Sequence, residues 1–229
     1  MATSKATVPA KEAPRGEEIF ATTLQILLER LPVRSRSIVE ARFGIGTDMP
    51  KTLEEIGKSY QITRERVRQV IGSALGYLSQ EKAHPSIGQV VDSIERAIAE
   101  KHGIIRAEEL LEKLSLKSNR ERGALLAFLE ALSIVKEEKA TKEYEKLYRL
   151  KDFSMSRLKK IKESTKDILT EVQDALEGKD LYARFKKLHP EVSEQELLDL
   201  LSVSREIKQN VFGQWGLSGW SDIKPRGTR

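Results

Sequence analysis

Residues 52–78, TLEEIGKSYQITRERVRQVIGSALGYL, read as two short helices joined by a tight turn, and the rest of the chain is organised around them. Thr52 caps the first helix: its hydroxyl faces the N–H three residues on, and Glu55 at that position returns a bond to the Thr52 N–H, the capping-box arrangement. Gly57 lies near the end of this helix, Tyr60 and Ile62 fill the turn, and Thr63 offers its hydroxyl to the N–H groups that open a second, longer helix. At 100° per residue, Val67, Val70, Ala74 and Leu78 share one side of the second helix and face Leu53 and Ile56. Glu65, Arg68 and Gln69 point the other way, with Arg64 on the flank. This is a helix-turn-helix plan, and its outer N-terminal face carries base-edge chemistry: Arg for guanine O6/N7, Gln for adenine, Glu for the cytosine amino group. A charged outward face is ordinarily only a solvated one; here the order of the residues decides.

The stretch TLEEIG followed by ITRERVRQV resembles region 4 of the housekeeping bacterial sigma factors, the part that reads the promoter element near position −35. Upstream, Leu31-Pro32-Val33-Arg34 and residues 41–49, ARFGIGTDM, match the preceding helix and its loop, so the resemblance covers residues 24–78. It implies base readout by Arg64, Glu65, Arg68 and Gln69. It implies contacts to the DNA backbone from Arg34, Arg42 and Arg66 and from the helix starts at Thr52 and Thr63, where backbone N–H groups face a phosphate. The partners implied are double-stranded promoter DNA and the RNA polymerase core, whose beta-subunit flap the family's domain grips. The chain departs from the family pattern at Ser35, usually Glu, and at Ile71, where Glu usually follows. Gly72 and Gly76 also depart, each weakening the back of the recognition helix by about 1 kcal/mol relative to Ala.

At 229 residues the chain has room for one to three small domains, and 39% hydrophobic content supplies a core for each. Lys+Arg number 40 against 35 Asp+Glu, a formal +5. Such mild, mixed basicity is compatible with nucleic acid without requiring it. The absence of cysteine excludes a disulfide framework and thiolate metal sites and fits a reducing cytosol, so the expected location is cytoplasmic. No apolar run approaches the ~18 residues of a membrane span, and the N-terminus lacks the apolar core of a signal peptide. No membrane partner is expected.

In chain order, residues 1–16 have almost no large apolar side chain and are expected to form a flexible arm. The helix-turn-helix domain is expected over 17–80, beginning with a helix that carries Ile19, Phe20, Leu24, Leu27 and Leu28 on one stripe and continuing through a helix opened by Pro32 and ended by Gly44 and Gly46. Residues 86–152 show three apolar helical stripes and then two strand-like runs, 133–136 and 146–150, a winged-helix pattern. The third of these helices carries Asn119, Arg120 and Arg122 and has the geometry to enter a groove. Glu121 and the acidic wing of Glu137, Glu138, Glu143 and Glu145 oppose phosphate, and charge sign favours a protein-contact or spacer role.

Residues 153–222 form the second such block. A long helix over 155–176 is expected to turn Leu158, Ile161, Ile168, Leu169, Val172 and Leu176 inward and Lys159, Lys160 and Lys162 outward, with Gly178 as its stop. Helices over 181–188 and 193–201 and a strand pair over 204–217 follow. The sequence Trp215-Gly216-Leu217-Ser218-Gly219-Trp220 resembles the closing segment of small winged-helix modules of the HARE type and of the delta subunit of bacterial RNA polymerase. Phe212, Trp215 and Trp220 are candidates for stacking on unpaired bases, weighed against core packing. Residues 223–229 form a polar tail whose Pro-Arg-Gly leads, in HARE-like chains, into another module.

No Gly-rich phosphate loop appears. His84, His102 and His189 are scattered without ligand spacing, and no serine sits in a nucleophile elbow. No catalytic residue, metal, cofactor or small-molecule substrate is therefore expected. The fold class predicted is mainly α: a region 4-like helix-turn-helix followed by two small winged-helix-like α+β modules. The function predicted is sigma-factor-like promoter binding with polymerase contact. The alternatives are a free-standing DNA-binding regulator and a protein-interaction module that does not read DNA.

Overall fold

The computed structural model describes residues 18–45, 49–80, 84–114, 116 and 118–223. The expected arm, residues 46–48 of the loop after Gly44, and tail residues 224–229 lie outside them. Mainly helical, with two small antiparallel sheets, the chain divides into two compact units. The first comprises residues 18–91 together with 116–132, and the second residues 92–114 together with 133–223.

In the first unit, α1 (Ile19–Leu28), α2 (Val33–Phe43), α3 (Leu53–Tyr60) and α4 (Arg64–Gln80) follow the sequence signals closely. Pro32 precedes α2, and Gly44 ends it at φ +70, where a Cβ would meet the Pro50 nitrogen at 2.9 Å. Thr52 and Glu55 form both bonds of the capping box at the start of α3. Gln61 turns the chain left-handed at φ 54, and the Ile62 N–H donates to the Gly57 carbonyl at 3.0 Å. Gly57 is required there, since a Cβ would stand 2.8 Å from the Ile62 carbonyl oxygen.

The buried stripe of α4 is Val67, Ile71, Ala74, Leu75 and Leu78, wider than expected and rotated away from Val70, which is only half-buried. The reason is an additional neighbour. Besides α2 and α3, α4 packs on α7 (Asn119–Leu132), which also lies against α1 and α2. Glu121 of α7 is 1% exposed, and its carboxylate accepts from the backbone N–H groups of Phe20 and Ala21 at 3.3 and 2.7 Å. It thereby supplies the cap that Glu18 does not give α1. Gly123 lets α7 approach α2 so closely that any Cβ would overlap the Phe43 carbonyl oxygen.

From residue 85 the same element order occurs twice. The first set is α5 (Pro85–Ala99), β1 (Ile104–Arg106), α6 (Ala107–Lys113), α7, β2 (Val135–Glu138) and β3 (Leu147–Leu150). The second is α8 (Met155–Val172), β4 (Leu176–Glu177), α9 (Gly178–Phe185), α10 (Glu194–Ser202), β5 (Ile207–Gln209) and β6 (Gln214–Leu217). In each sheet the last strand lies between the other two, in the orders β1-β3-β2 and β4-β6-β5, all antiparallel. The strand pairs were expected; β1 and β4, three and two residues long, were not. Nor does Gly178 stop the helix before it: α8 ends at Val172 with Gln173 left-handed, Leu176 belongs to β4, and Gly178 opens α9.

The second unit has one apolar cluster running from Ile104 and Leu147 through Leu158, Leu169, Phe185, Leu200 and Trp215. Lys162, expected outward, is buried. It donates to Glu143 and, at 2.7 Å, to Glu206, and lies 4.7 Å over the Tyr144 ring. Burial depresses the ammonium pKa, but the two carboxylates outweigh burial and hold Lys162 above its ordinary value. The loop between β2 and β3 also gives the Glu145 N–H to the Val203 carbonyl at 3.0 Å, while the Arg205 N–H donates to the Glu143 carbonyl at 2.8 Å. The acidic wing is thus paired throughout: Glu137 with Lys146, Glu138 with Arg149, Glu143 with Lys162, and Glu145 with Arg205 and Lys208.

Candidate nucleic-acid interface

The turn after α3 sets α4 so that its first two turns stand out from the first unit. Arg64, Glu65, Arg68 and Gln69 are all exposed, as is Arg66, whereas Val67 between them is fully buried and anchors the helix. The structure therefore brings the four expected base readers onto one solvent-facing surface. Three of them, together with Arg66, form two hydrogen-bonded pairs. Arg68 donates to both oxygens of Glu65, Nε at 2.9 Å and Nη2 at 2.7 Å. This fork holds the Glu65 carboxyl below the usual carboxylate range and raises the Arg68 guanidinium. Arg66 Nη1 donates to Gln69 Oε1 at 3.2 Å. Neither pair figures in the expected contacts, although the i, i+3 spacings of 65/68 and 66/69 carry the signal.

The expected backbone contacts are dispersed around this face and are engaged within the domain. Arg34 is exposed, and its Nη2 donates to the Tyr60 carbonyl at 2.9 Å, satisfying a carbonyl at the C-terminal end of α3. Arg42 is partly buried, with Nη1 donating to the Lys51 carbonyl at 3.2 Å just before the α3 cap. Thr52 and Thr63 accept from the Glu55 and Arg66 N–H groups, both at 3.2 Å. The earlier first-turn N–H groups of α3 and α4, those of Leu53, Glu54, Arg64 and Glu65, have no intrahelical acceptor by geometry and are the ones a phosphate would meet. Between α3 and the start of α4 the surface is concave, lined by Glu54, Lys58, Gln61, Thr63, Arg64 and Arg66.

The other candidates occupy different surroundings. Arg120 of α7 donates to Gln25 Oε1 and Arg122 to the Leu116 carbonyl at 3.2 Å, so both are held within the first unit. On α10, Glu196 pairs with Arg157 at 2.7 Å, and buried Asp199 holds Lys101 at 3.1 Å and His102 at 2.9 Å, which leaves no basic face there. Trp215 is buried and Trp220 packs on the core cluster, whereas Phe212 is 85% exposed at the tip of the β5–β6 hairpin. Asn210 Oδ1 fixes that tip by accepting from the Phe212 and Gln214 N–H groups at 3.0 and 2.9 Å. Among the described residues no cluster of His, Asp and Glu is arranged to hold a metal ion, and no helix is long and apolar enough to cross a membrane.

Residues 27–80 match the family described as Sigma-70, region 4. The chain is 37% identical over 82 residues to the RNA polymerase sigma factor SigA of a Bacillus species, covering 36% of this chain and 20% of that protein. It is 39% identical over 77 residues to the RNA polymerase sigma-C factor of a Nostoc species, covering 34% of this chain and 18% of that protein. The matched part thus spans about a fifth of the length of these curated relatives. The similarity falls on the helix-turn-helix and the helices that carry it.

Proposed function

We propose that this chain is a sigma-factor-like transcription protein that places α4 in the major groove of a promoter element of the −35 type and contacts the RNA polymerase core. One observation carries the reading: within the segment similar to sigma region 4, Arg64, Glu65, Arg68 and Gln69 share one exposed face on a helix whose opposite side is locked into a core. Arg68 addresses a guanine edge, Glu65 a cytosine amino group and Gln69 an adenine edge. Arg34, Arg42 and the starts of α3 and α4 at Thr52 and Thr63 set the register on the phosphates. The polymerase contact is to the flap of the beta subunit, on a surface of the first unit that α7 leaves free. The two repeated element sets serve as winged-helix modules of the HARE or delta-subunit type. Their paired acidic wing and acidic α10 fit protein contact better than groove reading.

The test is selection of bound duplexes from a random DNA pool with the purified chain at ~150 mM salt, where specific and non-specific binding separate, repeated with polymerase core added. The expected outcome is enrichment of one −35-like element, strengthened by core. Enrichment without any effect of core, and no beta subunit recovered in pull-down, would make the chain a free-standing regulator. A flat pool in both arms would leave protein interaction as the function, and the exposed Phe212 tip as the first place to look for it.

A further inference from the structure

A glutamine reads adenine with two ends of opposite character: Oε1 accepts from N6–H while Nε2 donates to N7. Its amide is nearly symmetric in shape, so what fixes which end is which is the hydrogen-bonding environment. For Gln69 that environment is polarised. At one end stands the Arg66 guanidinium, whose Nη1 donates to Oε1 at 3.2 Å. At the other stands the Glu65 carboxylate, whose charged form the Gln69 amide favours. Flipping the amide would set NH2 against a cation and a carbonyl oxygen against an anion. Glu65 is itself held by the two-pronged bond from Arg68, and the bond that orients Gln69 is the one from Arg66.

We infer that Arg66 is a positioning residue of the base-reading set, fixing the polarity of the Gln69 amide, rather than a contact to the phosphate backbone alone. The inference rests on the reading of α4 as the base-reading helix and adds to it a residue that acts through another. It also makes Arg66 and Gln69 energetically coupled, because removing Arg66 releases Gln69 from its partner.

The two roles predict different data. A pure phosphate contact, when removed, weakens binding to every sequence alike and lowers the salt slope. A positioning residue, when removed, relaxes preference at the base pair that its partner reads. The experiment measures binding of the full chain, wild type, Arg66→Ala, Gln69→Ala and the double variant, to the best selected duplex and to its single-base-pair variants at fixed salt, with the salt slope measured for each. Gln69→Ala is expected to lose about 5- to 150-fold discrimination at one base pair. Arg66→Ala is expected to lose discrimination at that same base pair, and the double variant to lose no more there than Gln69→Ala. An Arg66→Ala protein that binds all duplexes uniformly more weakly, with discrimination intact and a smaller salt slope, overturns the inference while leaving the promoter-binding reading in place. A wild-type chain without base preference on any duplex overturns both.

Discussion

Glu121 shows how much a single carboxylate can carry when water is excluded. Burial raises its pKa, while the Ala21 and Phe20 N–H groups favour the charged form and oppose that rise. The same two bonds close the start of α1. Glu121→Ala would leave two buried donors at a helix start without acceptors. The expected cost is about 1–3 kcal/mol in denaturant unfolding, with faster amide exchange at Phe20 and Ala21. On the exposed face the expectations concern binding instead. Arg68→Ala should cost about 1–3 kcal/mol on the best duplex and relax one base preference, as read by competition against single-base variants. Because Arg68 also restrains Glu65, the loss should extend to the base pair that Glu65 is proposed to read. Arg42→Ala should weaken all sequences evenly and flatten the salt slope; unchanged binding in both variants would remove the DNA-reading assignment.

Along elements, α4 combines a fixed front with a weakened back. Gly72 and Gly76 both face open space, where a Cβ would meet nothing within 4 Å, and neither has a positive φ. Gly72→Ala and Gly76→Ala should each stabilise the protein by up to about 1 kcal/mol, visible as a higher unfolding midpoint with base preference unchanged. A loss of stability would mean that the back of α4 meets something further. The helix-turn-helix was legible because its signals are local: a cap at Thr52, a bond partner at Glu55, a hydroxyl at Thr63 and an apolar spacing that fixes the inward side. β1 and β4 were illegible because two or three residues cannot establish an alternation. Lys162 was misjudged since a helical period at 100° per residue places it only near the edge of the apolar stripe, and its burial depends on Glu143 and Glu206, 19 and 44 residues away.

For the whole molecule, Glu121 of the first unit and the paired carboxyls of the second respond to acid with opposite sign. Glu206 is held below its ordinary pKa by Lys162 and Lys166, and Glu145 likewise, where the bonds from Lys208 and Arg205 outweigh a burial that acts the other way. A carboxyl lowered in the folded state contributes stability above its unfolded pKa and loses it as pH falls through the folded value. Glu121 is raised, so its contribution is full below the unfolded value and fades as pH rises through the folded one. Acidification from neutrality to below ~4 should therefore lower amide-exchange protection factors around the β2–β3 loop and residues 203–206 while sparing α1 and α7; an equal loss of protection in both would contradict these assignments. The partner of α7 was likewise beyond local signals, since periodicity reveals that a helix has an apolar side but not which core it completes. That completion has a consequence for synthesis. On the ribosome, α1 to α4 are made first, and the fifty-odd residues from Gln80 to Leu132 take roughly 3–10 s more to translate. During that interval the nascent first unit lacks its last helix and the cap of its first. For the same reason a gene fragment ending at codon 80 encodes every side chain proposed to read bases but not the wall behind them, and a cassette that carries the whole first unit must run through residue 132 and take residues 92–114 of the second with it.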